Sequence, residues 1–176
     1  MSKRLPKFAD ILPVFAVIAV MFYGWTLVVY IWKFPGWMFF LNIGELFGIF
    51  SYELVTNFLE SLTLILALLI VSAILPPRFL RDDFIARGGM ASLTLIAAMM
   101  LFLNRAVEAG PAFHRYLGWW MLGALVLAIF LAWLTTRVKF LRSTIAWLAD
   151  QLLIFLFILI PLTVIALITV IIRFFS

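Results

Sequence analysis

The sequence predicts an all-α polytopic membrane helix bundle, with five transmembrane helices and one further aromatic helix that is interfacial or re-entrant. Two observations predict this fold. Hydrophobic residues make up 67% of the 176-residue chain and charged residues only 12%, a composition far more apolar than that of a soluble domain. The apolar residues also collect in runs of about 20, the length that a helix needs to cross a 30 Å hydrocarbon core. Because the intervening loops are short, residues 1–176 are predicted to form a single integral membrane domain.

Five runs are predicted to span the bilayer as helices, since backbone polar groups cannot be left unpaired in lipid. They cover residues 11–32, 55–75, 88–106, 117–136 and 151–172.

The first span, 11–32, follows a basic N-terminus but is longer than the apolar region of a signal peptide, so it is interpreted as an uncleaved helix. Pro35 and Gly36 mark its end. Residues 37–52 are aromatic, carry Glu45 and are too short for a confident span. We therefore expect this segment to lie in the interface or to re-enter the membrane.

The other four spans are bounded by turn residues, tryptophan or charge. The second, 55–75, ends at two prolines, and the third, 88–106, is followed by a Gly-Pro pair. The fourth, 117–136, has tryptophan near both ends, as in the aromatic belts at membrane interfaces. The fifth, 151–172, is followed by Arg173.

The distribution of Lys and Arg predicts the orientation. If the N-terminus is cytoplasmic, the inner segments carry nine basic residues and the outer segments four, as the positive-inside rule requires. The predicted location is therefore the cell membrane, with the N-terminus inside and the C-terminus outside. The inner residues are Lys3, Arg4, Lys7, Arg78, Arg81, Arg87, Arg137, Lys139 and Arg142, and the outer residues are Lys33, Arg105, Arg115 and Arg173.

Three polar residues of the second span, Glu53, Asn57 and Glu60, share one helical face because they are spaced i, i+4 and i+7. Glu60 is placed roughly 22 Å from the inner boundary of the core. A charged group costs about 3 kcal/mol near the centre of a transmembrane helix. Glu60 is therefore expected to be protonated, paired or in contact with water.

Arg105 is the predicted partner of Glu60, at roughly 25 Å from the same boundary. Consecutive antiparallel spans joined by a short loop are expected to be neighbours. The resulting polar cluster either binds a ligand or fixes the register of the helices, and both interpretations stay open. Its members are Glu53, Asn57, Glu60, Asn104, Arg105, Glu108 and His114.

The sequence predicts no metal site, no cofactor and no catalytic residue. It has no cysteine and one histidine, so zinc, iron–sulfur and bis-histidine haem sites are not expected. The basic residues stand in short loops beside apolar runs, which favours membrane lipids as partners and not nucleic acid. An enzyme that pairs a glutamate with His114 as acid and base ranks last among the functions considered.

Two functions remain. The first is a non-catalytic small subunit or scaffold that packs against a larger membrane partner or against copies of itself. The alternative is a small carrier, or a lipid- or quinone-handling protein, with an outward-facing polar pocket around Glu60 and Arg105.

Overall fold

The computed structural model describes residues 5–77 and 79–175, and within these ranges the chain is helical and contains no strand. All five long helices are long and apolar enough to cross a membrane, which confirms the predicted five-helix architecture by length and composition. Short 3₁₀ turns at Arg81–Asp83 and Pro111–Tyr116 precede the third and fourth of them. The helices are α1 (Phe8–Trp37), α2 (Ile43–Ile74), α3 (Phe84–Ala109), α4 (Leu117–Thr135) and α5 (Lys139–Phe175).

The additional aromatic helix predicted over 37–52 is not confirmed as a separate element. A capping box starts α2 at Ile43: Asn42 Oδ1 accepts a hydrogen bond from the Glu45 amide at 2.9 Å, and the Glu45 carboxylate accepts one from the Asn42 amide at 2.8 Å. From Ile43 onward α2 is continuous through the rest of the aromatic segment. Asn42 and Glu45 are thus the start signal of a longer helix.

Helices α1, α3 and α5 also extend beyond their predicted limits at both ends. α5 begins at Lys139 and not at 151, and α1 continues through Pro35 to Trp37. Hydropathy detects only the turns that lie in lipid, whereas helical hydrogen bonding continues through polar turns at the membrane surface.

α1 is the central helix of the bundle. It packs against α2, α3 and α5, while α4 packs mainly on α3. In the most apolar part of each span, 39% of the residues of α1 are buried, compared with 17% for α4 and α5. Because α1 lies between them, α2 and α3 make few contacts with each other. The expectation that these consecutive helices are neighbours is therefore wrong.

The two ends of the bundle differ in charge. The start of α1, the α2–α3 connection and the start of α5 meet at one end, where Asp10, Asp83 and Arg142 line a common pocket. We call this the basic end, and the other the opposite end. Lys3, Arg4 and Arg78, which the charge count includes, lie outside the described residues. Described basic residues at the basic end are Lys7, Arg81, Arg87, Arg137, Lys139 and Arg142, and those at the opposite end are Lys33, Arg105, Arg115 and Arg173.

Candidate functional site

Polar side chains on one face of α1 join this helix to α2 and α5. The three residues are spaced i, i+3 and i+7, so they lie in a row along the helix. Each makes one hydrogen bond to a neighbouring helix, which fixes the relative heights of α1, α2 and α5. The bonds are Tyr23 Oη with Thr163 Oγ1 (2.5 Å), Thr26 Oγ1 to Asn57 Oδ1 (2.9 Å) and Tyr30 Oη to the Leu46 carbonyl (3.0 Å).

Asn57 belongs to this row and therefore to the core. Its side chain is 3% exposed, and its Oδ1 atom accepts the hydrogen bond from Thr26. Its Nδ2 atom is buried and has no hydrogen-bond partner among the described residues. The structure thus gives Asn57 a role in packing α1 against α2, at the edge of the buried side of α2, whereas the two neighbouring glutamates are exposed.

Glu53 and Glu60 lie on the outside of the bundle. Both are exposed, as are Thr56 and Thr63 on the same side of α2. Since successive residues turn by about 100°, these positions point away from the buried side of α2, which is centred near Ser61. We call Glu53, Thr56, Glu60 and Thr63 the polar face of α2. Among the described residues, neither glutamate forms an ion pair.

The predicted ion pair between Glu60 and Arg105 is not formed. Arg105 instead donates a hydrogen bond to Glu108, one turn further along α3, at 3.1 Å between Nη1 and Oε2. The Arg105 and Glu108 side chains are 68% and 58% exposed, as expected for a surface pair at the opposite end. The pair fails because α1 separates α2 from α3.

The other two members of the predicted cluster also lie at the opposite end. Asn104 is exposed beside Arg105. His114 is exposed in the turn before α4, where its Nδ1 atom lies 3.1 Å from the Pro111 carbonyl oxygen and its ring meets Phe102 edge-on. The seven predicted residues are therefore divided among a buried contact, an exposed face of α2 and a surface group on α3 and its following turn.

Two features were missed by the sequence analysis. At the basic end, Arg142 forms a two-point ion pair with Asp83, with Nε–Oδ2 and Nη2–Oδ1 distances of 2.8 and 3.0 Å. This pair connects the α2–α3 turn to the start of α5. A cleft also opens between α2 and the hairpin of α3 and α4, with Arg87 and Arg137 among its lining residues. Both features combine residues far apart in the chain, so local periodicity gives no signal for them.

No three carboxylate or histidine side chains come together in a way that could hold a metal ion within the described ranges. Comparison of the chain with protein-family models, with curated proteins and with solved structures finds no match.

Proposed function

We propose that the protein is a non-catalytic subunit or scaffold of a membrane assembly, and that a larger membrane partner covers the polar face of α2. The supporting observation is the position of Glu60. Its carboxyl group is exposed on the outer surface of the bundle, and it lies 14 residues before the end of α2 at Ile74. At 1.5 Å per residue this is about 21 Å along a helix whose surroundings in a membrane are hydrocarbon.

An exposed carboxylate at this depth is unfavourable in lipid. The free-energy cost of a charged group near the centre of a transmembrane helix is about 3 kcal/mol, and it is relieved when the group meets a protein donor. A partner helix that presents a basic or amide side chain to Glu60 supplies such a donor. Contacts of this kind between helices contribute about 1–2 kcal/mol in model systems.

The outer surface of α4 carries no charged residue. Exposed residues on α4, such as Val126 and Phe130, are apolar and suited to lipid contact. The polar face of α2 differs, because Glu53 and Thr56 extend it by two turns from Glu60 toward the opposite end. We therefore infer a local interface, one helix wide, on α2.

The alternative function, a carrier with a pocket around Glu60 and Arg105, depended on a contact between these two side chains that the structure does not contain. The two side chains lie on helices that barely touch, and Arg105 is paired with Glu108 at the surface.

We further propose that the protein lies in the cell membrane with the basic end toward the cytoplasm, so that the N-terminus is inside and the C-terminus outside. The excess of Lys and Arg at that end supports this orientation. α2 has 32 residues, or about 48 Å, so its first turns (43–52) extend past a 30 Å core into the outer interface. Reporter fusions at the two termini test this: opposite locations are expected, and termini on one side would contradict it.

Site-specific photocrosslinking in the native membrane tests the partner proposal. A photoreactive residue is placed at Thr56 or Thr63, which flank Glu60 on the polar face of α2. The matched control is Val126, which is 59% exposed on α4. We expect one defined product from both α2 positions and none from Val126, with a partner of more than 20.1 kDa.

Substitution of Glu60 then tests its role. Glu60→Leu is expected to reduce the crosslinking yield about tenfold, the equivalent of 1.4 kcal/mol, and Glu60→Gln to reduce it less because an amide retains hydrogen-bonding capacity. A product with the mass of two copies of this chain would contradict the larger partner. Equal products at α2 and α4, or no product at all, would contradict a dedicated interface.

A further inference from the structure

The cleft between α2 and the α3–α4 hairpin has the size and shape of a ligand site. Its volume is about 920 Å³, which falls within the range of about 300–1,000 Å³ for small-molecule sites. It runs from Leu64 along α2 to Leu75, the residue after that helix, and from Leu125 along α4 to Arg137, two residues after the end of α4. These stretches correspond to about 16 and 18 Å, close to half of a 30 Å core, so the cleft has the depth of one membrane leaflet.

The order of the helices and the choice of residues leave this space open. α2 leans on α1 and α5, and it does not pack closely against α3 or α4. Alanines stand where larger side chains would fill the gap, namely Ala67 on α2, Ala91 on α3 and Ala132 on α4. The walls are otherwise apolar, with leucine, isoleucine and phenylalanine side chains.

The charge of the cleft is confined to its basic end. Arg87 on α3 and Arg137 at the end of α4 both line it, and no acidic residue does so within the described ranges. The Arg137 guanidinium lies 5.4 Å from the centre of the Trp133 ring, a cation–π contact that holds this charge beside the cleft. Two guanidinium groups at the end of an apolar channel form an arrangement that is complementary to a phosphate attached to hydrocarbon chains.

We propose that the cleft binds an acidic glycerophospholipid from the leaflet at the basic end. The acyl chains lie against the apolar walls formed by α2 and α4, and the phosphate group contacts Arg87 and Arg137. Basic pockets between transmembrane helices on the cytoplasmic side are a recurrent form of headgroup site. The cleft lies nearer the basic end than Glu60, because Leu64, where it ends on α2, is one turn closer to that end. Thr63 is the member of the polar face that borders it.

Native mass spectrometry of the purified full chain in mild detergent tests the proposal. Phosphatidylglycerol and phosphatidylcholine with identical acyl chains are compared. We expect one phosphatidylglycerol to be retained per chain, at least tenfold more tightly than phosphatidylcholine. Arg87→Gln/Arg137→Gln is expected to reduce this binding at least tenfold, whereas the control Arg105→Gln/Arg115→Gln, at the opposite end, changes it less than twofold.

A second variant keeps both arginines and blocks the apolar wall. Ala67 is exposed on α2 at the cleft, so Ala67→Trp fills the cleft without disturbing the core, and it is expected to abolish retention of phosphatidylglycerol. Unchanged retention in Ala67→Trp, or equal losses in the two arginine double variants, would overturn the proposal in favour of general surface electrostatics. Displacement of the lipid by inorganic phosphate alone would also overturn it, since it would indicate an ion site.

One further variant separates this inference from the proposed function. Glu60 is not among the residues that line the cleft. We therefore expect Glu60→Gln to leave the retention of phosphatidylglycerol unchanged and to weaken crosslinking from the polar face of α2. A loss of lipid in Glu60→Gln equal to that in the arginine double variant would show that the two surfaces are one site, and it would contradict the proposed position of the headgroup.

Discussion

Replacing Thr26 by valine and Asn57 by leucine, singly and together, measures the hydrogen bond that joins α1 to α2. The Oγ1–Oδ1 distance is 2.9 Å, and Asn57 is almost fully buried. Both replacements keep the branching of the original side chain, so they remove polar atoms with little change in shape. The cycle therefore isolates the interaction between the two side chains.

The expected magnitudes follow from what each variant leaves unpaired. Thr26→Val removes the only hydrogen-bond donor to Asn57 Oδ1 given by the described residues, and the average for such bonds within membranes is about 0.6 kcal/mol, with a maximum near 1.7. Asn57→Leu removes the same bond. It also removes the buried Nδ2 atom, which has no described partner and whose burial destabilises the native state by about 1–3 kcal/mol. The free energy of unfolding of Asn57→Leu should therefore stay within about 1 kcal/mol of the original.

The assay is equilibrium unfolding in mixed micelles by titration with SDS, followed by far-UV circular dichroism. We expect a coupling energy of about 0.6–1.7 kcal/mol, with Thr26→Val having almost no effect once Asn57 is leucine. A coupling energy below about 0.3 kcal/mol would refute the hydrogen bond. A loss of more than about 3 kcal/mol in Asn57→Leu alone would refute the purely structural role, because it would require further polar partners for this amide.

Two further predictions concern packing and charge at the basic end. Gly88→Ala is expected to raise the free energy of unfolding by up to about 1 kcal/mol, because alanine favours the helix and the new methyl group finds its nearest neighbours at 3.6 Å. Gly89→Ala is not expected to raise the free energy of unfolding, because the Cβ atom of an alanine there would lie only 3.0 Å from Ile145 Cγ2. Asp83→Asn is expected to cost up to about 1 kcal/mol by breaking the pair with Arg142, and less at high salt. Each is measured by the same SDS titration.

The controls for these variants lie beside them in the chain. Gly88→Ala and Gly89→Ala act as each other's control, and equal effects would contradict the difference in space. Asp82→Asn removes the adjacent carboxylate, so an equal loss there would attribute the effect of Asp83→Asn to net charge and not to the pair. A loss in Asp83→Asn that does not diminish in 1 M salt would also contradict an exposed ion pair.

The sequence was sufficient to predict the five helices because hydrocarbon leaves an apolar run of this length no alternative to helical hydrogen bonding. The sequence was not sufficient to predict the residues at which these helices begin and end. The start of α2 depends on the reciprocal bonds of Asn42 and Glu45, and the start of α5 lies in a basic segment at Lys139, where hydropathy is low. Both ends are set by local hydrogen bonding outside the lipid, which a hydropathy argument does not measure.

The candidate site was harder to predict, because it depends on which helix lies at the centre. Residues Val14–Ala19 of α1 are buried at every position, so this stretch is surrounded on all sides. A helix that is apolar all round is expected to be buried in a soluble protein. In a membrane chain every span has that composition, so the central position of α1 has no distinctive local signal. The prediction that Glu60 pairs with Arg105 was based on the order of the spans along the chain, which does not show which helix lies at the centre.

The central position of α1 accounts for both surfaces on which the proposals rest. Because α1 and α5 hold α2 away from α3, Glu60 is exposed on the outer side of α2, and the same separation leaves the cleft open nearer the basic end. A bundle with α2 packed on α3 would have closed the cleft and allowed Glu60 to approach α3. An intramembrane carboxylate and a leaflet-deep cleft are thus consequences of one packing order. The Thr26–Asn57 cycle tests the part of that order that places α1 against α2, since this hydrogen bond exists only where the two helices are in contact at this height.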